Sequence, residues 1–263
     1  MVARVRRPTV AVVGLGLVGG SLARALRGAG HRVIGHDRPA VLRAALAAGA
    51  VSEAAPSVRA AVAAADVVVL ATSPRTNRRL LPEVARATRP GAVVTDVGSV
   101  KRGICADARR YRLRRFVGGH PMAGREASGF AASSADLFRG RWWILTPDGA
   151  SAPAAVRAVR ALARATGARA VVMTPAEHDR VVAFLSHVPQ VLAWALLASA
   201  RSDRVAARRL AVAGPAFRDM TRLAKSPRPL WREILAENRV EVRRALASLR
   251  RALREPRSSR DRL

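Results

Sequence analysis

Hydrophobic residues in the first 175 positions form short β-branched runs separated by amphipathic stretches. Such runs predict strands that are buried on both faces of a parallel sheet. The stretches between them, such as SLARALRGAG, have helical spacing and end at glycine, which predicts helices. This alternation predicts a doubly wound α/β sheet. The predicted strands are TVAVV (9–13), HRVIGHD (31–37), ADVVVLAT (65–72), GAVVTDVGS (91–99), RFVGGH, RWWILTP and RAVVMTP.

The pattern changes after Pro175. No β-rich run occurs from 176 to 263, and the apolar residues there recur at helical spacing. The stretch AEHDRVVAFLSHVPQVLAWALLASA predicts one long helix that Pro189 bends or restarts. We therefore predict an α/β domain at 1–175 and an all-helical domain at 176–263. Its polar tail, about 255–263, is predicted to be disordered.

A glycine-rich segment, GLGLVGG (14–20), follows the first predicted strand and opens a helix. An acidic residue, Asp37, ends the second strand 23 residues after Gly14. This context distinguishes a Rossmann dinucleotide-binding turn from a glycine turn in another α/β fold. Asp37 would bind ribose hydroxyls and repel a 2′-phosphate, which favours NAD, although Arg38 could hold that phosphate and leaves NADP open. The predicted cofactor contacts are Gly14, Leu15, Gly16, Leu17, Val18, Gly19, Asp37 and Arg38.

The net charge of +29 raises the question of nucleic-acid binding. Only two of the 47 basic residues are lysines, so the other 45 are arginines, and they are spread along nearly the whole chain. Arginine and alanine enrichment together indicates GC-rich codons. Aromatic residues make up 4% and no zinc-finger spacing occurs, so we predict no specific nucleic-acid partner, only weak salt-sensitive adhesion to polyanions.

The same composition bears on metals, membranes and location. The single cysteine, Cys105, excludes an intrachain disulfide and a multi-cysteine metal site, and the histidine spacing predicts no metal. No uninterrupted apolar run approaches the roughly 20 residues of a membrane span. The N-terminus has basic residues before an apolar run, but the run breaks at Gly14 and lacks a cleavage pattern. We predict a cytoplasmic protein without a membrane partner.

Four stretches carry polar residues that folding does not explain: DVGSVK (96–101), GGHPMAG (118–124), SHVPQ (186–190) and FRDMTRLAKSPRPLW (217–231). Ser99 and His120 follow two of the predicted strands. Polar residues at the carboxyl ends of parallel strands face the ligand crevice, so both are candidates for one site.

Together with GLGLVGGSLA, these stretches resemble the prephenate dehydrogenase family, including its arogenate-using relatives, over nearly the whole chain. The resemblance implies NAD(P)-dependent oxidative decarboxylation of prephenate to 4-hydroxyphenylpyruvate, or of arogenate to tyrosine. It also implies a Rossmann domain followed by a helical domain through which two subunits form a homodimer.

The resemblance also assigns roles to single residues. His120 matches the family's catalytic histidine and Ser99 its hydrogen-bonding companion. His187 matches a substrate-pocket histidine, and Arg222 matches the arginine that holds a substrate carboxylate. The chain departs from many members at Arg125, which could alter substrate choice or pair with the neighbouring glutamate. The residues that match supporting pocket positions are Glu126, Asp219 and Trp231.

These residue types suit the implied chemistry. A neutral imidazole can accept the hydroxyl proton as hydride leaves the same ring carbon, a step worth about 10²–10⁴-fold. A serine hydroxyl can fix which imidazole nitrogen faces the substrate, and an arginine fork suits a carboxylate. Each assignment has a structural alternative: a strand-end cap for His120, a core histidine for His187, a helix N-cap for Ser99 and a core tryptophan for Trp231. The other histidines are interpreted as surface or boundary residues: His31, His36 and His178.

The sequence therefore predicts an NAD-dependent prephenate dehydrogenase of tyrosine biosynthesis that acts on a small-molecule substrate as a homodimer. An arogenate dehydrogenase is the nearest alternative. A two-domain reductase of a β-hydroxyacid or imine would not need GGHPMAG together with MTRLAK. A non-enzymatic cofactor-sensing or nucleic-acid-binding protein on a Rossmann scaffold would not need Ser99, His120 and Arg222 together. No regulatory or chorismate mutase segment is recognised, so feedback inhibition by tyrosine is not expected.

Overall fold

The computed structural model describes residues 7–149 and 151–254. The chain divides into two compact units, an N-terminal unit, Met1–His178, and a C-terminal unit, Asp179–Leu263. The predicted disordered tail at 255–263 lies outside the described residues.

The N-terminal unit is built on one eight-stranded sheet, which confirms the predicted α/β fold. The strand order is β3-β2-β1-β4-β5-β6-β7-β8, and every neighbouring pair is parallel except β6 and β7. The first six strands have the 3-2-1-4-5-6 order of dinucleotide-binding folds. The strands are β1 (Val10–Val13), β2 (Val33–His36), β3 (Glu53–Ala54), β4 (Val67–Leu70), β5 (Val93–Asp96), β6 (Phe116–Pro121), β7 (Trp142–Thr146) and β8 (Arg169–Val172).

Helices cover both faces of this sheet, and the side chains of each strand therefore alternate between two cores. In β1, Val10 and Val12 belong to one buried cluster, whereas Ala11 and Val13 belong to the other. Successive strand side chains point to opposite faces, so a strand buried on both faces needs a continuous apolar run. The helices are α1 (Leu17–Gly28), α2 (Pro39–Ala47), α3 (Val58–Ala63), α4 (Pro74–Ala87), α5 (Arg102–Arg110), α6 (Pro153–Ala165) and α7 (Pro175–Val182), whose last residues belong to the C-terminal unit.

The C-terminal unit contains helices and no strand among its described residues. A small core of Ala183, Val188, Val242 and Ala245 holds it together. A π-helical turn, Ala183–His187, separates α7 from the next helix. Pro189 has no N–H to donate to the carbonyl four residues earlier, which explains why the predicted long helix restarts here. The remaining helices are α8 (Val188–Ser202), α9 (Arg204–Arg208), α10 (Pro215–Thr221), α11 (Arg228–Glu237) and α12 (Arg239–Arg254).

One helical segment, Pro175–Ser202, is long and apolar enough to cross a membrane by length and composition, with a mean hydropathy of 1.8. The run-based prediction overlooked this segment because charged and polar residues interrupt it. It contains the buried side chains of His178, Asp179 and His187. Such groups are costly in hydrocarbon, so they favour a helix that packs within protein.

Candidate active site

The glycine loop after β1 combines close backbone packing with one open position. Gly14 has a φ of +96°, and a Cβ there would lie 2.8 Å from the carbonyl carbon of Ala71. A Cβ on Gly19 would lie 1.9 Å from the carbonyl oxygen of Gly14. A Cβ on Gly16, in contrast, would meet no atom within 4 Å. Packing therefore requires the first and third glycines, whereas the second leaves room for a ligand to approach the backbone.

This loop leads into α1, which begins at Leu17, with Val18 in its first turn, and has no side chain capping its N-terminus. The first-turn N–H groups of such a helix suit an anion such as a pyrophosphate. The loop itself is braced by Asp37, whose Oδ2 accepts a 2.6 Å hydrogen bond from the N–H of Leu15. Arg38 donates its N–H to Oδ1 at 2.6 Å, while its side chain is 87% exposed.

His120 lies near the carboxyl end of β6, where its side chain is 6% exposed. The two residues before it must be glycines because neighbouring groups approach closely. A Cβ on Gly118 would lie 2.3 Å from Oγ1 of Thr146, and one on Gly119 would lie 2.5 Å from the carbonyl oxygen of Asp96. The GGH sequence thus allows β6 to pack tightly against its neighbours up to the histidine.

A second histidine contacts His120. Nδ1 of His120 lies 2.8 Å from Nε2 of His178, so one of these nitrogens donates a hydrogen bond to the other. The interpretation of His178 as a surface or boundary residue is therefore wrong: it lies in α7 and is fully buried. His31 is buried as well, with Nδ1 3.0 Å from the carbonyl oxygen of Pro8, and His36 is half-buried.

A buried ion pair, which the sequence analysis missed, organises the DVGSVK turn. Lys101 Nζ donates to Oδ2 of Asp96, and both side chains are at most 1% exposed. The N–H of Gly98 donates to Oδ2 at 2.8 Å, and the N–H of Gly119 donates to Oδ1 at 3.1 Å. Asp96 thereby joins the ends of β5 and β6, which carry Ser99 and His120. The rarity of lysine in this chain is the signal that could have revealed Lys101.

Ser99 lies half-buried in this turn. Helix α5 begins at Arg102 with Lys101 at its N-cap, so the N-cap interpretation of Ser99 is wrong. Within residues 7–149 and 151–254, the Ser99 hydroxyl makes no hydrogen bond, and His178 rather than Ser99 contacts Nδ1 of His120. The catalytic role of Ser99 stays a prediction.

In the C-terminal unit, Asn238 determines how His187 is protonated. The Nδ2 amide of Asn238 donates to the carbonyl oxygen of Asp179 at 2.7 Å, which identifies this atom as nitrogen. The same amide lies 3.1 Å from Nδ1 of His187, so Nδ1 accepts and the neutral ring carries its proton on Nε2. Trp231, in α11, meets the His187 ring edge to face at 5.9 Å. The structure thus brings two predicted pocket residues together.

The predicted arginine lies on a short 3₁₀ turn, Arg222–Lys225, that α8 holds in place. Gln190, which the sequence analysis missed, donates from Nε2 to the carbonyl oxygen of Leu223 at 2.8 Å. The indole N–H of Trp194 donates to the carbonyl oxygen of the next residue at 3.3 Å. Arg222 itself is exposed, as is Asp219 in α10.

Two further predicted residues, Arg125 and Glu126, lie in the loop after β6. Arg125 is exposed and Glu126 is half-buried. No ion pair joins these two residues in the described chain, so the pairing alternative for Arg125 is not found.

Metal chemistry and the lone thiol add little to this site. The described residues contain no group of three or more histidine, cysteine or carboxylate side chains that could hold a metal ion. Burial raises the pKa of the Cys105 thiol to about 12, so it stays protonated at neutral pH.

Comparison with known proteins gives the family. Residues 22–172 match the model of the prephenate dehydrogenase nucleotide-binding domain, and residues 174–258 match the model of the prephenate dehydrogenase dimerization domain. A prephenate dehydrogenase of Bacillus subtilis (strain 168) is 36% identical over 247 residues, which cover 90% of this chain and 66% of that protein. The chain thus spans just under two thirds of the length of that relative.

Solved structures agree with this assignment. The prephenate dehydrogenase from A. aeolicus, in complex with hydroxyphenyl propionate and NAD+, has a TM-score of 0.84 and 31% identity, covering 95% of this chain and 89% of that one. Synechocystis arogenate dehydrogenase has a TM-score of 0.81 and 30% identity, covering 94% and 89% of the two chains. Matched over both of its units, this chain belongs to the prephenate dehydrogenase family.

Proposed function

We propose that this protein catalyses the NAD-dependent oxidative decarboxylation of prephenate to 4-hydroxyphenylpyruvate, a step of tyrosine biosynthesis. The observation that carries the proposal is the buried His120 at the carboxyl end of β6, with one ring nitrogen occupied by His178. Ligands of open α/β sheets bind outside the carboxyl ends of the strands, where the glycine loop after β1 also lies. An imidazole and a dinucleotide-binding turn thus share one edge of the sheet.

The residues of the glycine loop fit a dinucleotide. The open space at Gly16 and the uncapped start of α1 suit a pyrophosphate, and the Asp37 carboxylate suits ribose hydroxyls. A 2′-phosphate near Asp37 would be repelled, and the Arg38 side chain is largely exposed beside it. We therefore favour NAD over NADP. When bound, NAD accepts the hydride.

The side chains of the protein do the remaining work. His120 accepts the proton of the ring hydroxyl as hydride leaves the same carbon. Ser99 follows β5, the strand that pairs with β6, and is proposed to assist His120. The bond from the opposite ring carbon to its carboxylate then breaks, CO₂ leaves, and the electron pair makes the ring aromatic. The resulting phenolate oxygen takes the proton back from His120. Each atom and charge is thereby accounted for with a single base.

Further predicted residues are proposed to hold the substrate. His187 offers an Nε2–H donor, and Arg222 offers a guanidinium that can bind a carboxylate through two parallel hydrogen bonds. Binding energy from the carboxylates orients the ring for hydride transfer. Glu126, Asp219 and Trp231 complete the proposed substrate set.

Arogenate is the second candidate substrate, because a structural relative of similar identity is an arogenate dehydrogenase. Arogenate carries an amino group where prephenate carries a keto group. The reaction at the ring is the same for both, so the residues proposed here serve either substrate.

We further propose a homodimer formed through the C-terminal unit, which matches the dimerization domain of the family. Large apolar side chains are exposed on this unit, as expected for a surface that a second copy covers. Among the described residues they include Leu185, Val205, Val212, Met220 and Val240. The cytoplasmic location, and the absence of specific nucleic-acid and membrane partners, stay predictions.

Initial rates of NADH or NADPH formation with prephenate and arogenate, each with NAD and with NADP, test the proposal. We expect the highest kcat/KM with prephenate and NAD. A His120→Asn variant should bind NAD normally and lose about 10²–10⁴-fold in kcat. The matched control is His31→Asn, because His31 precedes β2 at the opposite edge of the sheet and should leave kcat unchanged. Lack of turnover of either substrate would refute the proposed function.

A further inference from the structure

We propose that His178 is a positioning residue that holds the Nδ1 proton of His120, so that Nε2 of His120 keeps the lone pair that accepts a proton. This inference rests on the proposed function, since it explains which ring nitrogen of His120 keeps the lone pair that accepts the substrate proton. No predicted role depended on His178, and its contact with His120 was found only in the structure.

The two imidazoles contact each other directly through a hydrogen bond between ring nitrogens. Nδ1 of His120 and Nε2 of His178 are 2.8 Å apart, and the ring planes cross at 63° with centroids 5.0 Å apart. Both rings are buried, at 6% and 0% exposure. One proton lies between the facing nitrogens, because two protons there would collide and none would leave two lone pairs in contact.

Only one of the two possible positions of this proton supports catalysis. If it belongs to His178, then Nδ1 of His120 accepts, its Nε2 carries the other proton, and that nitrogen cannot act as a base. If it belongs to His120, then Nε2 keeps a lone pair. After His120 has accepted a proton from substrate, its Nδ1–H still has an acceptor in Nε2 of His178, which stabilises the imidazolium.

The start of α7 is built to place His178. Thr174 and Glu177 form a capping box: the N–H of Glu177 donates to Oγ1 of Thr174 at 3.1 Å, and the N–H of Thr174 donates to Glu177 Oε2 at 3.4 Å. The N–H of His178 then donates to the carbonyl oxygen of Thr174 at 2.9 Å. The capping box and this backbone hydrogen bond thus fix the first turn of the helix that carries His178.

Two substitutions separate positioning from packing. His178→Leu fills the space without a hydrogen-bond partner, whereas His178→Gln places an amide group near the position of Nε2. We expect His178→Leu to lower kcat about 10²-fold, the lower end of the range for a general base, with the KM for prephenate changed less than about threefold. His178→Gln should recover kcat to within about tenfold of the native enzyme.

A spectroscopic measurement tests the proton position without relying on turnover. In full-length protein with ¹⁵N-labelled histidine, assigned with single histidine variants, we expect neutral His120 to carry its proton on Nδ1, and to lose this preference in His178→Leu. The proposal is overturned if native His120 carries its proton on Nε2, or if kcat of His178→Leu stays within about threefold of native. Native protein without turnover would instead refute the proposed function, and the ¹⁵N shifts would still decide the role of His178.

Discussion

Replacing Lys101 by methionine should destabilise the N-terminal unit, because it leaves the Asp96 carboxylate buried without its cation. Both side chains are at most 1% exposed, so water cannot replace the ammonium group. Two backbone N–H donors, at Gly98 and Gly119, remain. Removing one member of a buried ion pair typically costs about 3–5 kcal/mol in the free energy of unfolding. Methionine keeps an unbranched chain of similar length, so most of the loss comes from the charge.

The single cysteine provides the assay. Cys105 is buried in the N-terminal unit and its pKa of about 12 makes the native thiol unreactive, so labelling by a thiol reagent reports unfolding of this unit. Labelling during a urea titration then gives the free energy of unfolding for the native protein and the variant.

Lys225 and Asp96 supply the controls for this experiment. Lys225 is the only other lysine and is exposed, so Lys225→Met should change the free energy by no more than about 0.5 kcal/mol. The double variant Asp96→Asn/Lys101→Met should be less destabilised than the sum of the single variants by about 0.5–3 kcal/mol. A loss below about 1 kcal/mol for Lys101→Met, or strict additivity, would refute the role given to this ion pair.

Three further predictions concern the glycine loop, the thiol and the substrate histidine. Gly19→Ala should destabilise the fold by about 1–3 kcal/mol, because its Cβ would lie 1.9 Å from the Gly14 carbonyl oxygen. Gly16→Ala, whose Cβ would meet no atom within 4 Å, should fold normally and weaken NAD binding. Thermal unfolding and NAD titration measure the two effects, and equal melting temperatures for the two variants would contradict the packing difference. Native Cys105 should not react with iodoacetamide at pH 8 and should begin to do so only towards its raised pKa of about 12, so rapid labelling of folded protein at pH 8 would contradict its burial. Asn238→Leu should raise the KM for prephenate about tenfold, equivalent to about 1.4 kcal/mol, because His187 loses the donor that fixes its tautomer. An unchanged KM would contradict the proposed role of His187 in substrate binding.

Most strands were predictable because a strand that is buried on both faces appears in the sequence as a continuous run of apolar residues. The runs at 9–13 and 65–72 are apolar on both faces, and they became β1 and β4. The two-residue strand β3, Glu53–Ala54, is too short to leave such a pattern. This strand forms because it pairs with β2, and that pairing depends on the folded structure rather than on the local sequence.

Site residues that belong to a sequence motif were predictable, whereas residues whose role depends on a contact with a distant part of the chain were not. His120 stood out between glycines, but His178 lies 58 residues away on an amphipathic helix, where a polar residue is typical of a solvated face. Lys101 belongs to the DVGSVK motif, in which only Ser99 was assigned a role from the sequence. Its partner is Asp96, five residues earlier in the chain, and the contact between Nζ and Oδ2 is visible only in the folded structure.

His120 is proposed to be the general base for the oxidation of prephenate. The most direct test is the rate of NADH formation from prephenate and NAD by the native protein and by His120→Asn under the same conditions. We predict turnover by the native protein and a loss of about 10²–10⁴-fold in kcat for the variant, with NAD binding retained. A variant that turns over prephenate at the native rate would contradict this role of His120.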